Sequence, residues 1–297
     1  MGWKNTYESK IDPSGIKQNF LPLNLSVHCC RYWKLNEWEY RNMSFPFWRL
    51  YYNTIEGASV SFKNETIMLN ENIVLLIPPH TSFATSLRPK NVESLSGNRI
   101  ESAEELNLIH DIGMVDHLFV HFNLGFQFDN ITSGLYSFEV DENTKEILDK
   151  LRFLVIEEGI VFGHSSSLLL YHLILKLVNK IDKNKWNEKA TDSRILKIIE
   201  YIDSNYRSEM SNEFLAQMVN LAPNSLLRLF NQSMGNTIQR HIQQTRINKA
   251  ILELCSSDDT IDEIAQRCGF SERYHFSKVF KRIVGISPAR YRQQKTY

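Results

Sequence analysis

Cysteine is scarce in this chain: four residues in 297, at positions 29, 30, 255 and 268, with no C-x-x-C spacing among them. Neither a zinc site nor a disulfide framework is therefore indicated. Cys268 falls in an apolar pattern and reads as a reduced, core-filling thiol, which suits a cytoplasmic compartment. Long apolar runs are also missing. The longest, residues 168–178, is interrupted by His172 and Lys176 and is too short to span a bilayer. Residues 1–10 are polar, so no signal peptide and no membrane partner are expected. Net charge is absent as well, with 34 basic residues against 34 acidic ones. The molecule as a whole does not announce a polyanionic partner.

The charge that is present is unevenly placed. Residues 1–185 carry 18 basic and 22 acidic side chains, whereas residues 186–297 carry 16 and 12. From Arg273 to the end there are seven basic residues and no acidic one. A one-signed stretch of this kind suits either a solvated face or a polyanion.

The length suggests about two domains, and the pattern divides accordingly. Residues 1–140 read as β: the segments 47–52, 58–62, 73–77 and 118–122 are aromatic or β-branched runs separated by turn residues, which predicts a sandwich or small barrel. Residues 141–180 change to helical spacing, first Ile147, Leu151, Leu154 and Val155, then Leu170, Leu173, Leu177 and Val178. These two helices either pair with a second subunit or pack on their own β domain. Residues 181–192 are polar and charged and read as a linker. From residue 193 to residue 297 the pattern is helical.

That last region contains a repeat. Leu215-Ala216-x-x-x-Asn220-Leu221-Ala222 recurs forty-nine residues later as Ile264-Ala265-x-x-x-Gly269-Phe270-Ser271. Further on the offset is fifty: Phe230 with Phe280, Gly235 with Gly285, Thr237 with Ser287. One residue has been added between turn and helix. In the second unit Thr260-x-x-Glu263 is a capping box. Ile261, Ile264, Ala265 and Cys268 make one apolar face, and the small Ala265 lets the next helix cross closely. Gly269 can end the helix in the left-handed conformation, and Ser271 can cap the following helix. That helix has an inner face of Phe276, Val279, Phe280 and Ile283.

Burying that face leaves Arg273, Tyr274, Ser277 and Lys278 outward, on the part of a helix that can meet base edges in a major groove. The first unit exposes Asn224, Ser225, Leu227 and Arg228 in the same way. Arg and Lys can donate to guanine, Asn can read adenine, and a leucine can touch a thymine methyl. Ser225, Lys281, Arg282 and Arg292 are placed for phosphate. A long helix over residues 238–255 joins the units, and Ser287-Pro288 starts a last helix.

These motifs carry a resemblance. Residues 264–271, then Tyr274-His275-Phe276-Ser277-Lys278-x-Phe280-Lys281, then Gly285-x-Ser287-Pro288-x-x-Tyr291-Arg292, look like the signature of the AraC/XylS family of transcription regulators, over about the last hundred residues. Arg246-Ile247-x-x-Ala250-x-x-Leu254 resembles the family's central helix. The first unit departs from the pattern: Ala222 replaces a capping serine, Asn220 a glycine, and His241 a tyrosine. The N-terminal half is similar to the family's cupin-like sensor through residues 47–52, Gly57 and residues 76–81. The resemblance implies an α+β two-domain protein, a cupin-like β-barrel with trailing helices followed by an all-α domain of two helix-turn-helix units. It also implies binding to double-stranded DNA, contact with the transcription machinery, homodimerisation, and a small-molecule effector, a sugar or other metabolite. Trp48, Tyr52, His80 and His121 are the candidates to line the effector pocket.

The rival reading is a metal-dependent cupin enzyme, and a second rival is a ligand-independent dimeric regulator. No H-x-H pair occurs. His117 and His121 lie four apart and, on a strand, sit roughly 13 Å from each other, too far to share an ion at ~2 Å bonds. No metal, cofactor or catalytic residue is expected.

Overall fold

In the computed structural model, which describes residues 23–88, 91, 93–100, 102, 114–158, 162–186, 192–234, 236–284 and 286–293, the N-terminal half is a nearly closed antiparallel barrel. Its strands are β1 (Ser26–Met43), β2 (Trp48–Tyr52), β3 (Ser59–Phe62), β4 (Glu65–Met68), β5 (Ile73–Ile77), β6 (Phe83–Ser86), β7 (Ser94–Arg99), β8 (Val115–Asn123) and β9 (Tyr136–Glu139). They run in the order β4-β3-β6-β1-β8-β2-β5-β9, with β7 also on β1. The aromatic and β-branched runs predicted as strands are β2, β3, β5 and β8. The longest strand, β1, has no period-two signal over its length. It pairs with β8, β7 and β6 in turn, and its register shifts between Val27 and Cys29, between Leu35 and Glu37, and between Tyr40 and Met43. Each shift changes which side chains face inward, which erases the simple alternation.

Alternation along β2 sorts the barrel's two faces. Arg49 and Tyr51 point into the interior with Leu35, Trp38, Phe83 and Leu75. Trp48, Leu50 and Tyr52 point outward and are buried beneath helices. Those helices are α2 (Glu142–Glu158) and α3 (His164–Asn179), which follow a short α1 (Phe126–Asp129). Ile147, Leu151 and Val155 of α2 and Leu170, Leu173, Leu177 and Val178 of α3 pack against this outer barrel face. The apolar stripes read from the sequence are thus covered by their own domain. The predicted linker is in part docked. Trp186 bridges Ile131, and its ring lies 6.2 Å from that of Trp48 and 5.9 Å from that of Phe128. Ile181 is buried in the same core, and the Lys185 carbonyl accepts from the Thr132 amide at 2.9 Å.

The C-terminal half is helical: α4 (Ser193–Asn205), α5 (Asn212–Met218), α6 (Pro223–Met234), α7 (Ile238–Ser256), α8 (Ile261–Arg267), α9 (Arg273–Val284) and α10 (Pro288–Gln293). Asp192 caps α4, accepting from the Arg194 amide at 2.9 Å. Two small cores form. Ile198, Ile202, Leu215, Ala216, Leu226 and Phe230 make the first. Ile264, Ala265, Cys268, Phe276, Phe280 and Tyr291 belong to the second. The helix α7 serves both, since Ile238 and Ile242 belong to the first core and Ile247, Ala250, Ile251 and Leu254 to the second. Each fully buried phenylalanine contributes about 1.5–3 kcal/mol, so bending α7 would open one core or the other. Gly235 and Gly285 of the repeat, and Lys295, lie outside the described residues.

Candidate DNA-binding interface

In the first unit Ser211 caps α5, its hydroxyl accepting from the Phe214 amide at 3.1 Å. The turn runs through Asn220 at φ 53°, a left-handed conformation that asparagine tolerates. The helix α6 begins at Pro223 without a side-chain cap, because Ala222 precedes it. In the second unit the capping box is present in both directions: the Glu263 amide donates to Thr260 Oγ1 at 3.2 Å, and the Thr260 amide donates to Glu263 Oε2 at 2.8 Å. Gly269 takes the turn at φ 83°. A Cβ there would stand 2.9 Å from Arg207 Cα and from its carbonyl oxygen, so space as well as φ requires glycine. Ser271 does not precede the helix directly. The helix α9 starts at Arg273, and Glu272 occupies the position that Ala222 holds in the first unit. The residue added between turn and helix moves the serine one place too early to cap.

Both second helices bury their inner faces. Leu226 and Phe230 are 0 % exposed in α6, as are Phe276 and Phe280 in α9. The opposite faces are open: Asn224, Ser225 and Arg228 are exposed on α6, and Arg273, Tyr274 and Lys278 on α9, while Leu227 and Ser277 are half-buried. Tyr274 stands 77 % exposed, with its ring open to solvent beside Arg273. Arg273 is not loose, because its Nη1 meets Asp262 Oδ2 on α8 at 3.0 Å. Sequence reasoning missed Asp262. Its helical position beside the capping box placed it on the solvent side, but nothing in the spacing told that Arg273 would reach it across the turn.

Lys281 and Arg282 are exposed at the end of α9, and Arg282 donates to Gln243 on α7 at 2.6 Å. Arg292 departs from expectation. Its Nε and Nη2 are buried because α10 packs back on α7 through the buried Tyr291, so the guanidinium is not presented to solvent as the other basic groups are. Arg246 of the central helix is structural: Nε donates to the Tyr206 carbonyl at 2.6 Å and Nη2 to that of Ser208 at 2.9 Å, which ties α7 to the end of α4.

The four effector candidates do not converge. Trp48 and Tyr52 are on the outer face of the barrel, where Trp48 Nε1 donates to Asp129 at 2.8 Å and its ring stacks on Phe122 at 6.0 Å. His121 is on the inner side, its ring 4.9 Å from that of Phe47. His80 is exposed at the rim in a left-handed conformation, φ 59°. The period of two along β2 explains the split, since positions 48 and 52 share a face that the helices cover. The interior polar residues are instead Arg49, Asn53 and His117. His117 Nδ1 is 2.7 Å from Asn53 Oδ1. Burial, then the charge of Arg49, holds its pKa down to about 3. Among the described residues, no group of three His, Cys, Asp or Glu could hold a metal ion, and no helix is long and apolar enough to cross a membrane.

Residues 215–294 match a family model described as a helix-turn-helix domain. The chain is similar to the HTH-type transcriptional activator RhaS of Klebsiella pneumoniae (strain 342), 32% identical over 123 residues, which are 41% of this chain and 44% of that one. It is also similar to an uncharacterised HTH-type transcriptional regulator, YpdC, of Escherichia coli (strain K12), 32% identical over 124 residues, 42% of this chain and 43% of that one. The chain thus spans less than half the length of these curated relatives. The two-domain fold is similar to that of ToxT from Vibrio cholerae O395 in complex with a naphthalenyl butenoic acid. That likeness covers 90% of this chain and 98% of ToxT at a TM-score of 0.50 and 13% identity, and it speaks to fold.

Proposed function

We propose that this chain, an AraC/XylS-family protein by its tandem helix-turn-helix domain and N-terminal barrel, is a sequence-specific DNA-binding transcriptional regulator and not an enzyme. One observation carries the reading. Two helix-turn-helix units share the single helix α7, and each buries a phenylalanine face while leaving a polar face open, with Arg228 on the first and Arg273, Lys278, Lys281 and Arg282 on the second. Asn224, Leu227 and Arg228 of α6 and Arg273, Tyr274, Ser277 and Lys278 of α9 then address base edges. Ser225, Lys281 and Arg282 address phosphates, and the half-buried Arg292 does so only after its side chain swings out. Phosphate contacts make affinity fall steeply with salt.

The finer parts of the reading are a homodimer, a small-molecule effector in the barrel and a cytoplasmic setting. Dimerisation is supported by apolar groups left on the outside of the helices behind the barrel: Phe153 of α2 at 51 %, and Leu168 and Leu175 of α3, seven residues apart on one helix face, at 67 % and 38 %. An effector is supported by the buried polar groups of the barrel interior.

Selection of binding sites from random DNA, followed by footprinting, tests the reading. The expected site has two unlike parts about one helical turn, ~34 Å, apart, and it occurs twice when a dimer binds. Failure to enrich any sequence, or protection of a single short element, would overturn it.

A further inference from the structure

Arg49 is buried on the inward face of β2, with 8 % of its surface accessible. Its guanidinium carbon is 3.6 Å from the centre of the Phe45 ring, with the rings of Phe47, Phe83 and Tyr51 at 5.3, 5.6 and 5.9 Å. It donates one hydrogen bond, to the Tyr51 hydroxyl. Nε is buried and has no acceptor. Among the described residues no carboxylate lies within 4 Å of it.

The same barrel shows how it treats an arginine that has a counter-charge. Arg152, half-buried on the outer side, meets the fully buried Asp116 at 3.4 Å and Asp149 at 4.0 Å. Arg49 is more buried than Arg152 and has no such partner. A buried charge without a partner is expensive. Aromatic faces offset part of that cost, but rings accept no hydrogen bond of ordinary strength, and a guanidinium carries five N–H donors. The nearby His117 is neutral, so it neither cancels nor adds charge. Asn53 Nδ2 and Thr85 Oγ1 are further buried polar atoms without partners. Among the described residues the interior therefore holds an uncompensated positive charge, spare hydrogen-bonding groups and an apolar wall.

A planar donor fork pairs bidentately with an oxyanion, and a single positive charge in an aromatic box suits a singly charged carboxylate on an apolar body better than a doubly charged phosphate. We propose that Arg49 is the recognition point of the effector site, and that the effector is a small organic monocarboxylate whose aliphatic or aromatic part lies against Phe45, Phe47 and Phe83. This rests on the effector reading above and narrows it from a sugar or metabolite to an organic acid. The position also offers a route to the DNA-binding half. Phe47 lines a cleft of about 950 Å³ between barrel and helical domain, whose far wall includes Thr245, Lys249 and Leu252 of α7. Phe47 is thus shared between the surroundings of Arg49 and the cleft that α7 faces.

The test uses the full chain and a panel of aliphatic and aromatic monocarboxylates that includes hexanoate and phenylacetate. Each acid is compared with its primary amide, and D-glucose serves as the neutral polyol. Binding is read by calorimetry and operator affinity by fluorescence anisotropy. At least one acid is expected to bind at least about tenfold tighter than its amide and to change operator affinity. Arg49→Gln should weaken the acid at least about 30-fold, while Arg49→Lys retains part of it. Equal binding of acids and amides, or wild-type binding of acids by the glutamine variant, overturns the proposal. Should the glutamine variant not fold, the acid-against-amide contrast on the unaltered protein decides alone. Binding of D-glucose with no response to any acid overturns the carboxylate assignment and leaves the effector reading standing. No response to any probe, with operator affinity unchanged across a broad metabolite panel, overturns both.

Discussion

The first helix-turn-helix unit turns at Asn220 with φ 53°, and the second at Gly269 with φ 83°. The first packs Phe230 against His241 with ring centres 5.7 Å apart, and the second packs Phe280 against Tyr291 at 5.6 Å, both edge to face. Neither α6 nor α9 has a side-chain cap at its start, but α5 is held by the single Ser211 cap, whereas α8 has a full capping box. Two units of one architecture thus meet the same geometric demands with unequal residues. Burial sets the shape of each unit, and the turn and cap residues set only how firmly that shape is held. The weaker solutions are concentrated in the first unit, which is also the one that faces the barrel across the cleft through Gln232, Ser233, Met234 and His241. The ring contact from Phe126 to His241, at 6.3 Å, is one direct touch between the barrel half and that unit.

Predictions follow the inequality, and the largest lies at the two turns. Gly269→Val forces a β-branched residue to a positive φ and drives a Cβ into the backbone of Arg207. It should destabilise the second unit by about 2–4 kcal/mol in urea unfolding. Asn220→Gly should change stability by no more than about 1 kcal/mol. Equal costs at the two turns would mean that the second is not the tighter.

Acid should separate the units next. Burial lowers the pKa of His241 to about 4 from an ordinary value of 6.5. The unfolded chain therefore takes up that proton first. Stability is full above about pH 6.5 and is lost as pH falls toward 4, by on the order of 2–3 kcal/mol. His241→Tyr, which copies the second unit, should remove that share of the acid sensitivity. Unfolding midpoints of the variant and the parent across this range give the answer, and parallel curves would break the comparison.

On DNA, Arg228→Ala and Arg273→Ala should each cost about 1–3 kcal/mol and relax the sequence preference in one part of the site only. Asp262→Ala should act on the same part as Arg273, through the loss of the 3.0 Å ion pair that positions it. Selected sites that change in both parts for either arginine would deny the division of labour. The smallest effects are at the caps. Thr260→Ala should cost about 1 kcal/mol, and Ala222→Ser should recover somewhat less than that, both by thermal unfolding.

The helical half was legible before any coordinates because its signals are local. A capping box, a left-handed glycine and a spacing of three, four and seven act within a dozen residues, and the structure puts α5 to α10 where those signals indicate. The failures there are of one kind. Ser271 misses the capping position by one residue, and Arg292 turns inward, because helix start and side-chain direction depend on what α7 presents. The barrel was legible only in part. Strands β2, β3, β5 and β8 announce themselves by composition, but β1 does not, since its three register shifts break the alternation. The effector candidates Trp48, Tyr52, His80 and His121 come from three separate segments of the aromatic-rich β region. Trp48 and Tyr52 lie on one side of β2 and Arg49 on the other, and no local signal tells which side the helices α2 and α3 will cover.

The residues alone determined that a basic, repeated helical region follows a β domain, and that each repeat must hide Phe230 or Phe280 and so expose Arg228 or Arg273. Periodicity and the cost of leaving large apolar groups in water are enough for that. Which face of β2 became the interior, that Arg49 would stand there without a carboxylate, and that α7 would belong to two cores at once were decided by the tertiary structure. Those outcomes depend on contacts between segments far apart in the chain, and contacts of that range leave no period to read.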